Sequence, residues 1–197
     1  MTFGSFNNLN KVSDHTVALW VEVLQAVPHS RLALKGSALS NIQTRSRLAA
    51  QFAAGGVDRD RLVLLDYEQD ERAHLAAYGK LDIALDPFPY NGTTTTCEAL
   101  LMGVPVVGLR GNRFIAHVGE SILQTAELGD WIAADDSAYV DIAKRAAADL
   151  EALANLRSGL RMQFLSSPMC DAPRFARHFE DALRGMWHIW CAAQRRS

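Results

Sequence analysis

The chain has 197 residues, 49% hydrophobic and 21% charged, which is enough apolar material for one domain or a large part of a two-domain protein. A net charge of −2 gives no electrostatic footprint for nucleic acid or an anionic membrane. Cys97, Cys170 and Cys191 are too few and too widely spaced for a disulfide framework or zinc pattern, and they suit a reducing cytoplasm; neither a membrane-length apolar run nor a signal sequence is present.

Residues 2–6 read as a strand that Met1 enters almost at once, as expected of a chain beginning inside a larger architecture. A polar loop, Asn7 to Lys11, follows. Ser13 or Asp14 can cap a helix in which Val17, Leu19, Trp20, Val23 and Leu24 repeat at helical spacing up to Val27-Pro28. Residues 31–35 form a second strand, 41–54 a helix stopped by Gly55-Gly56, and 61–65 a third strand. A helix is expected from Asp70 to about Tyr78, then strands at 81–85 and 104–109 flanking the run Thr93-Thr94-Thr95-Thr96. A helix at about 116–126 leads to a short segment at Trp131-Ile132-Ala133.

Short apolar strands without polar alternation, separated by helices, imply a parallel sheet covered on both faces. The expected fold is therefore α/β, a doubly wound, Rossmann-like parallel sheet with C-terminal helices. Ligands of such sheets sit at the carboxyl ends of the strands. Lys11, the Gln69–His74 loop and the threonine helix all follow such ends.

The stretch 86–107 concentrates the chemistry. A helix N-terminus offers unpaired N–H groups and a positive dipole end to phosphate, and Thr93 to Thr96 add hydroxyls there. Glu98, one turn further on, can accept both hydroxyls of a ribose. The alternative is that Thr93 or Thr94 merely N-caps a core helix. Four threonines are poor helix formers, which local stability does not explain. No Gly-x-Gly-x-x-Gly follows the first strand, against a dinucleotide reductase. Asp58-Arg59-Asp60 precedes a strand, the wrong end of the sheet for a metal–diphosphate site, and reads as a solvated turn.

Beyond Asp135 the pattern is helical. Asp136-Ser137 caps a helix through Tyr139, Ile142 and Leu150 to about Leu156; Ser166-Ser167-Pro168 breaks the chain, and a last helix spans about 173–193. Its stripe of Phe175, Phe179, Leu183, Met186, Trp187 and Trp190 reads as core. The alternative is a face for a partner domain, since the sheet already has its helices.

Together these residues resemble the C-terminal half of the catalytic region of O-linked N-acetylglucosamine transferases, the O-GlcNAc transferase/SPINDLY family of GT-B glycosyltransferases. The likeness is carried by Phe6-Asn7-Asn8-Leu9-Asn10-Lys11, Trp20, Val27-Pro28-His29-Ser30, Asp82-Ile-Ala-Leu-Asp86, Asn91-Gly-Thr-Thr-Thr95, Leu101-Met-Gly-Val-Pro-Val-Val107 and Ser166-Ser167-Pro168. The resemblance implies an inverting transferase moving GlcNAc from UDP-GlcNAc to Ser or Thr hydroxyls of an acceptor protein. Related members use GDP-fucose or UDP-glucose, and a nucleotide-binding fragment or subunit without catalysis is the alternative. It places UDP contacts on Asn8, Lys11, Gln69, His74, Thr93, Thr94, Thr95 and Glu98, with Lys11 at the departing β-phosphate in the catalytic role. No metal or other cofactor is implied.

This chain departs from the family pattern at Asn8 (glutamine in the family), Glu71 (commonly lysine) and Thr93 (histidine in the animal enzymes). The resemblance divides it into a nucleotide-sugar-binding domain, 1–134, and helices, 135–197, packing on it and on a missing N-terminal catalytic domain. Family members carry tetratricopeptide repeats upstream, and no 34-residue repeat is visible here.

Overall fold

A computed structural model describes residues 1–194. Six strands, β1 (Thr2–Ser5), β2 (Arg31–Lys35), β3 (Leu62–Leu65), β4 (Ile83–Leu85), β5 (Val106–Leu109) and β6 (Ile132–Ala133), form one sheet in the order β3-β2-β1-β4-β5-β6. Every pairing is parallel. The sheet is built outward in two directions from β1 and β4, so the crevice between their carboxyl ends is the topological switch point.

The connections are α1 (Asp14–Ala26), α2 (Ile42–Ala54), α3 (Glu71–Ala76), α4 (Thr94–Leu101) and α5 (Val118–Thr125), followed by α6 (Asp136–Ala148), α7 (Leu150–Ser166) and α8 (Ala172–Gln194). One core lies around Phe3, Trp20, Leu24, Leu34, Phe52, Val107 and Tyr139, where α1, α2 and α6 cover a face of the sheet. The other surrounds Tyr78, Leu81, Val104, Leu123, Leu160 and Phe164, beneath α4, α5 and α7. Gly4 shows how tight this layering is. A methyl there would lie 2.3 Å from a Leu81 methyl and 2.9 Å from the Ala33 carbonyl oxygen.

Two helical expectations change. The helix expected to run unbroken to Leu156 ends at Ala148, and Asp149 caps a new one by accepting the Ala152 amide at 2.9 Å. The change of direction carries α7 across to the opposite face from α6. The last helix is also not core: no residue of α8 is buried, and Phe175, Phe179, Leu183, Met186, Trp187 and Trp190 are all exposed. With α1, α2 and α4 to α7 already covering both faces, the sheet leaves α8 nothing to pack on. Among the described residues Phe175 stacks only on Phe179, and Trp187 only on Trp190, within the helix itself.

Candidate nucleotide-diphosphate site

The loop leaving β1 supplies the first part of the crevice. Asn8 is exposed and caps a short 3-10 turn, Leu9–Lys11, by accepting the Asn10 amide at 3.0 Å. The turn aims Lys11 across the crevice. Its Nζ donates to the Asn91 carbonyl at 2.9 Å and lies 4.2 Å from the centre of the Tyr90 ring. One of its three donors is thus spent on holding the ammonium in place, and two remain for an anion.

The loop leaving β4 supplies the second part. Buried Asp86 ends the strand and accepts the Gly92 amide at 2.7 Å, which turns the chain into α4. Thr93 occupies the N-cap position but makes no side-chain cap bond. Capping therefore does not account for it. The first bond at this end runs from the Cys97 amide to the Thr93 carbonyl at 3.0 Å, so the amides ahead of it have no acceptor in the helix. Thr93 and Thr94 are exposed with no hydroxyl partner among the described residues, whereas Thr95 donates its hydroxyl to Asn7 Oδ1 at 2.7 Å. Free amides, two free hydroxyls, a dipole end and a fixed ammonium can together hold a phosphate. A cavity of about 490 Å³ opens beside Thr93, lined also by Cys97, Phe114, His117, Val118 and Met169. Burial pushes the Cys97 thiol pKa up, which makes it a poor nucleophile.

The third part joins α3 to α4. Asp70 caps α3 by accepting the Ala73 amide at 2.7 Å, and His74, on the inner face, meets Glu98 with Nε2 and Oε2 3.0 Å apart. The Tyr78 hydroxyl donates to the same Glu98 oxygen at 2.9 Å. Burial, together with the Glu98 charge, pushes the Tyr78 phenol far above its ordinary value, so it remains a donor. Oε1 of Glu98 has no partner among the described residues and is left for a ligand hydroxyl. Gln69 lies exposed in the loop ahead of α3. The structure thus joins Lys11 to the loop before α4, Thr95 to the β1 loop and His74 to Glu98; Asn8 and Gln69 are exposed and make no side-chain bond to these groups.

Several residues of the site were not anticipated. Asn7 links the β1 loop to α4, Tyr78 fixes Glu98, and Tyr90 lies against Lys11. Lys35, at the end of β2, is 2% exposed beneath His74. Its Nζ donates to the His74 carbonyl at 3.4 Å and sits 4.8 Å from the centre of the Phe6 ring. Burial lowers its pKa, opposed by the charges of Glu68 and Glu98. A lysine closing an otherwise apolar strand was the available signal.

The sequence profile of glycosyl transferase family 41 matches residues 1–179. A tomato (Solanum lycopersicum) protein described as a probable UDP-N-acetylglucosamine–peptide N-acetylglucosaminyltransferase, SPINDLY, is 41% identical over 97% of this chain. The Caenorhabditis elegans UDP-N-acetylglucosamine–peptide N-acetylglucosaminyltransferase is 29% identical over 95% of it. The chain spans 20% and 16% of those two proteins. A mutant of Thermobaculum terrenum O-GlcNAc transferase superposes with a TM-score of 0.92 at 38% identity, covering 98% of this chain and 37% of that one. Anabaena HepE, solved with UDP and glucose, shares the fold at 16% identity and a TM-score of 0.64, over 93% of this chain and 48% of its own. The chain belongs to glycosyl transferase family 41, with the fold of a GT-B glycosyltransferase domain and a match to the C-terminal catalytic region of O-GlcNAc transferases.

Proposed function

We propose that this chain is the donor-binding half of an inverting glycosyltransferase that moves GlcNAc from UDP-GlcNAc to Ser or Thr hydroxyls of a protein. The observation that carries this reading is the placement of a fixed ammonium, a threonine-rich helix N-terminus and a carboxylate around one crevice. Lys11 and the α4 end would meet the diphosphate, Glu98 the ribose, and His74 with the Gln69 backbone the uracil. Negative charge grows on the β-phosphate as the sugar departs. Donors already fixed in place stabilise that charge more than they stabilise the resting diphosphate, which lowers the barrier.

The acceptor and any residue that takes its proton would belong to the other half of the crevice, an N-terminal catalytic domain against which α8 would pack. The chain's small share of its relatives' length and the bare face of α8 favour this division. They equally support a second reading, a nucleotide-binding subunit that is inactive without that partner.

Calorimetric titration of the chain with UDP, beside GDP and NADH, tests the reading. UDP should bind selectively, and Lys11→Ala and Thr94→Ala should each weaken it roughly tenfold or more, as expected for charge-assisted bonds to phosphate. Tighter binding of GDP would overturn the donor, and equal binding by both variants would overturn the site.

A further inference from the structure

Asp86 is an acid placed where an apolar strand ends and where three parts of the site meet. It is 1% exposed. Its Oδ1 accepts the Gly92 amide at 2.7 Å and the Asn7 side-chain amide at 3.4 Å, and Asn7 accepts the Thr95 hydroxyl. Backbone closes around it on both sides. A methyl on Gly92 would lie 2.8 Å from Oδ1, and a methyl on Gly119 of α5 would lie 2.8 Å from Oδ2. Oδ2 itself has no hydrogen-bond partner among the described residues. The side-chain oxygen of Asn91 lies against the same face of Gly119, at 3.3 Å from that methyl position.

The titratable groups facing this carboxyl are few. Lys11 approaches from the β1 loop, and Tyr139 of α6 donates its hydroxyl to the Asp86 backbone oxygen at 3.0 Å. Glu120, next to Gly119, is engaged by Arg110 and His117 instead. Burial pushes the Asp86 pKa up to about 7, held back by the Gly92 amide, the Lys11 charge and Asn7. A carboxyl this deeply buried, with one oxygen left without a partner in a place where asparagine would make the same Gly92 bond, calls for a role beyond structure.

Resting on the UDP reading above, we propose that Asp86 is a positioning residue of the diphosphate subsite, holding Gly92 and, through Asn7, Thr95, and taking up a proton as the diphosphate binds. The proton comes from solvent and forms an O–H bond at the unpartnered Oδ2. Two changes on binding drive it. Diphosphate brings negative charge above a buried carboxylate, and it draws on the Lys11 charge that otherwise favours the ionised form.

The test has two arms on the intact chain. A UDP-sugar is titrated at pH 7 to 8 in buffers of different ionisation enthalpy; its diphosphate, esterified at both ends, does not itself titrate there. Uptake of roughly half a proton per nucleotide at pH 7, rising towards one at pH 8, is expected, and its loss in Asp86→Asn. In the free chain, the Gly92 amide resonance should shift with a midpoint near pH 7, and this shift should vanish in Asp86→Asn. A Gly92 resonance that is flat from pH 5 to 9 overturns the proposal. So does nucleotide binding without proton uptake, or with the same uptake in Asp86→Asn. If Gly92 titrates but no UDP-sugar binds, the nucleotide reading falls, and with it the uptake, while the hold of Asp86 on the loop stands.

Discussion

His74 Nε2 and Glu98 Oε2 lie 3.0 Å apart across the gap between α3 and α4, so the groups proposed to meet base and ribose are fastened to each other before any ligand arrives. Tyr78 reaches the same oxygen from beneath. The pair leaves Oε1 of Glu98 without a partner among the described residues, where the proposed ribose hydroxyl would bind. A hydrogen bond to a charged group contributes about 1.5–3 kcal/mol. UDP should therefore bind roughly tenfold or more tightly than its 2′-deoxy form. Glu98→Ala should abolish that preference while leaving selectivity for UDP over GDP, read by competitive titration. Retention of the preference in Glu98→Ala would remove the ribose assignment.

The raised pKa of Asp86 also sets a stability profile. The folded-state value, about 7, lies above the ordinary 3.8, so between those values the folded chain keeps a proton that the unfolded chain has released. Stability conferred by this group is complete below pH 4, falls as pH rises towards 7 and is then flat. At 1.36 kcal/mol per pKa unit the fall is at most about 4 kcal/mol. Urea denaturation at pH 5 and pH 8 should show the decline in the wild type and a shallower one in Asp86→Asn. Equal slopes would mean that the carboxyl is better solvated than its burial implies.

Tyr139 ties the same residue to the far side of the sheet. Trp20 Nε1 donates to its hydroxyl at 3.2 Å, and that hydroxyl donates to the Asp86 carbonyl at 3.0 Å, all three residues being buried. Burial raises the Tyr139 phenol pKa well above its ordinary value, so the donor persists across the working pH range. Tyr139→Phe strands an indole N–H and a carbonyl in the core, which should cost about 1–3 kcal/mol in a denaturant midpoint. A neutral substitution would mean that water replaces the hydroxyl.

The parts of this molecule legible in the sequence are those encoded locally. Apolar strands without alternation give the parallel sheet, and four threonines after a Pro- and Gly-rich turn give the helix end. Lys11 and Glu98 are legible with them. Strand order is not local, because it rests on pairings such as Phe3 with Ile83. The bonds that organise the site also span great separations: Asn7 to Asp86 and Asn7 to Thr95 join residues 79 and 88 positions apart. Asn7 therefore reads in the sequence as one residue of a polar loop, and Asp86 only as the opening of the stretch 86–107. Periodicity showed the apolar stripe of α8, but the same stripe serves a core or an interface, and only the packing of α6 and α7 decides between them.

That bare stripe yields the last prediction. Phe175, Phe179, Leu183, Met186, Trp187 and Trp190 share one face of the helix and are all exposed, and clustered exposed apolar side chains mark association surfaces. On its own the chain should self-associate through this face at micromolar concentration, visible in sedimentation velocity as a species larger than the monomer. Trp187→Glu with Trp190→Glu should restore the monomer and leave the melting temperature within a degree or two, because no residue of α8 is buried in the folded chain. A monomeric wild type would show that the face is not adhesive by itself. A loss of several degrees in the double variant would instead show that α8 folds down as core in solution, for burying those two indoles would contribute several kcal/mol that glutamates cannot replace.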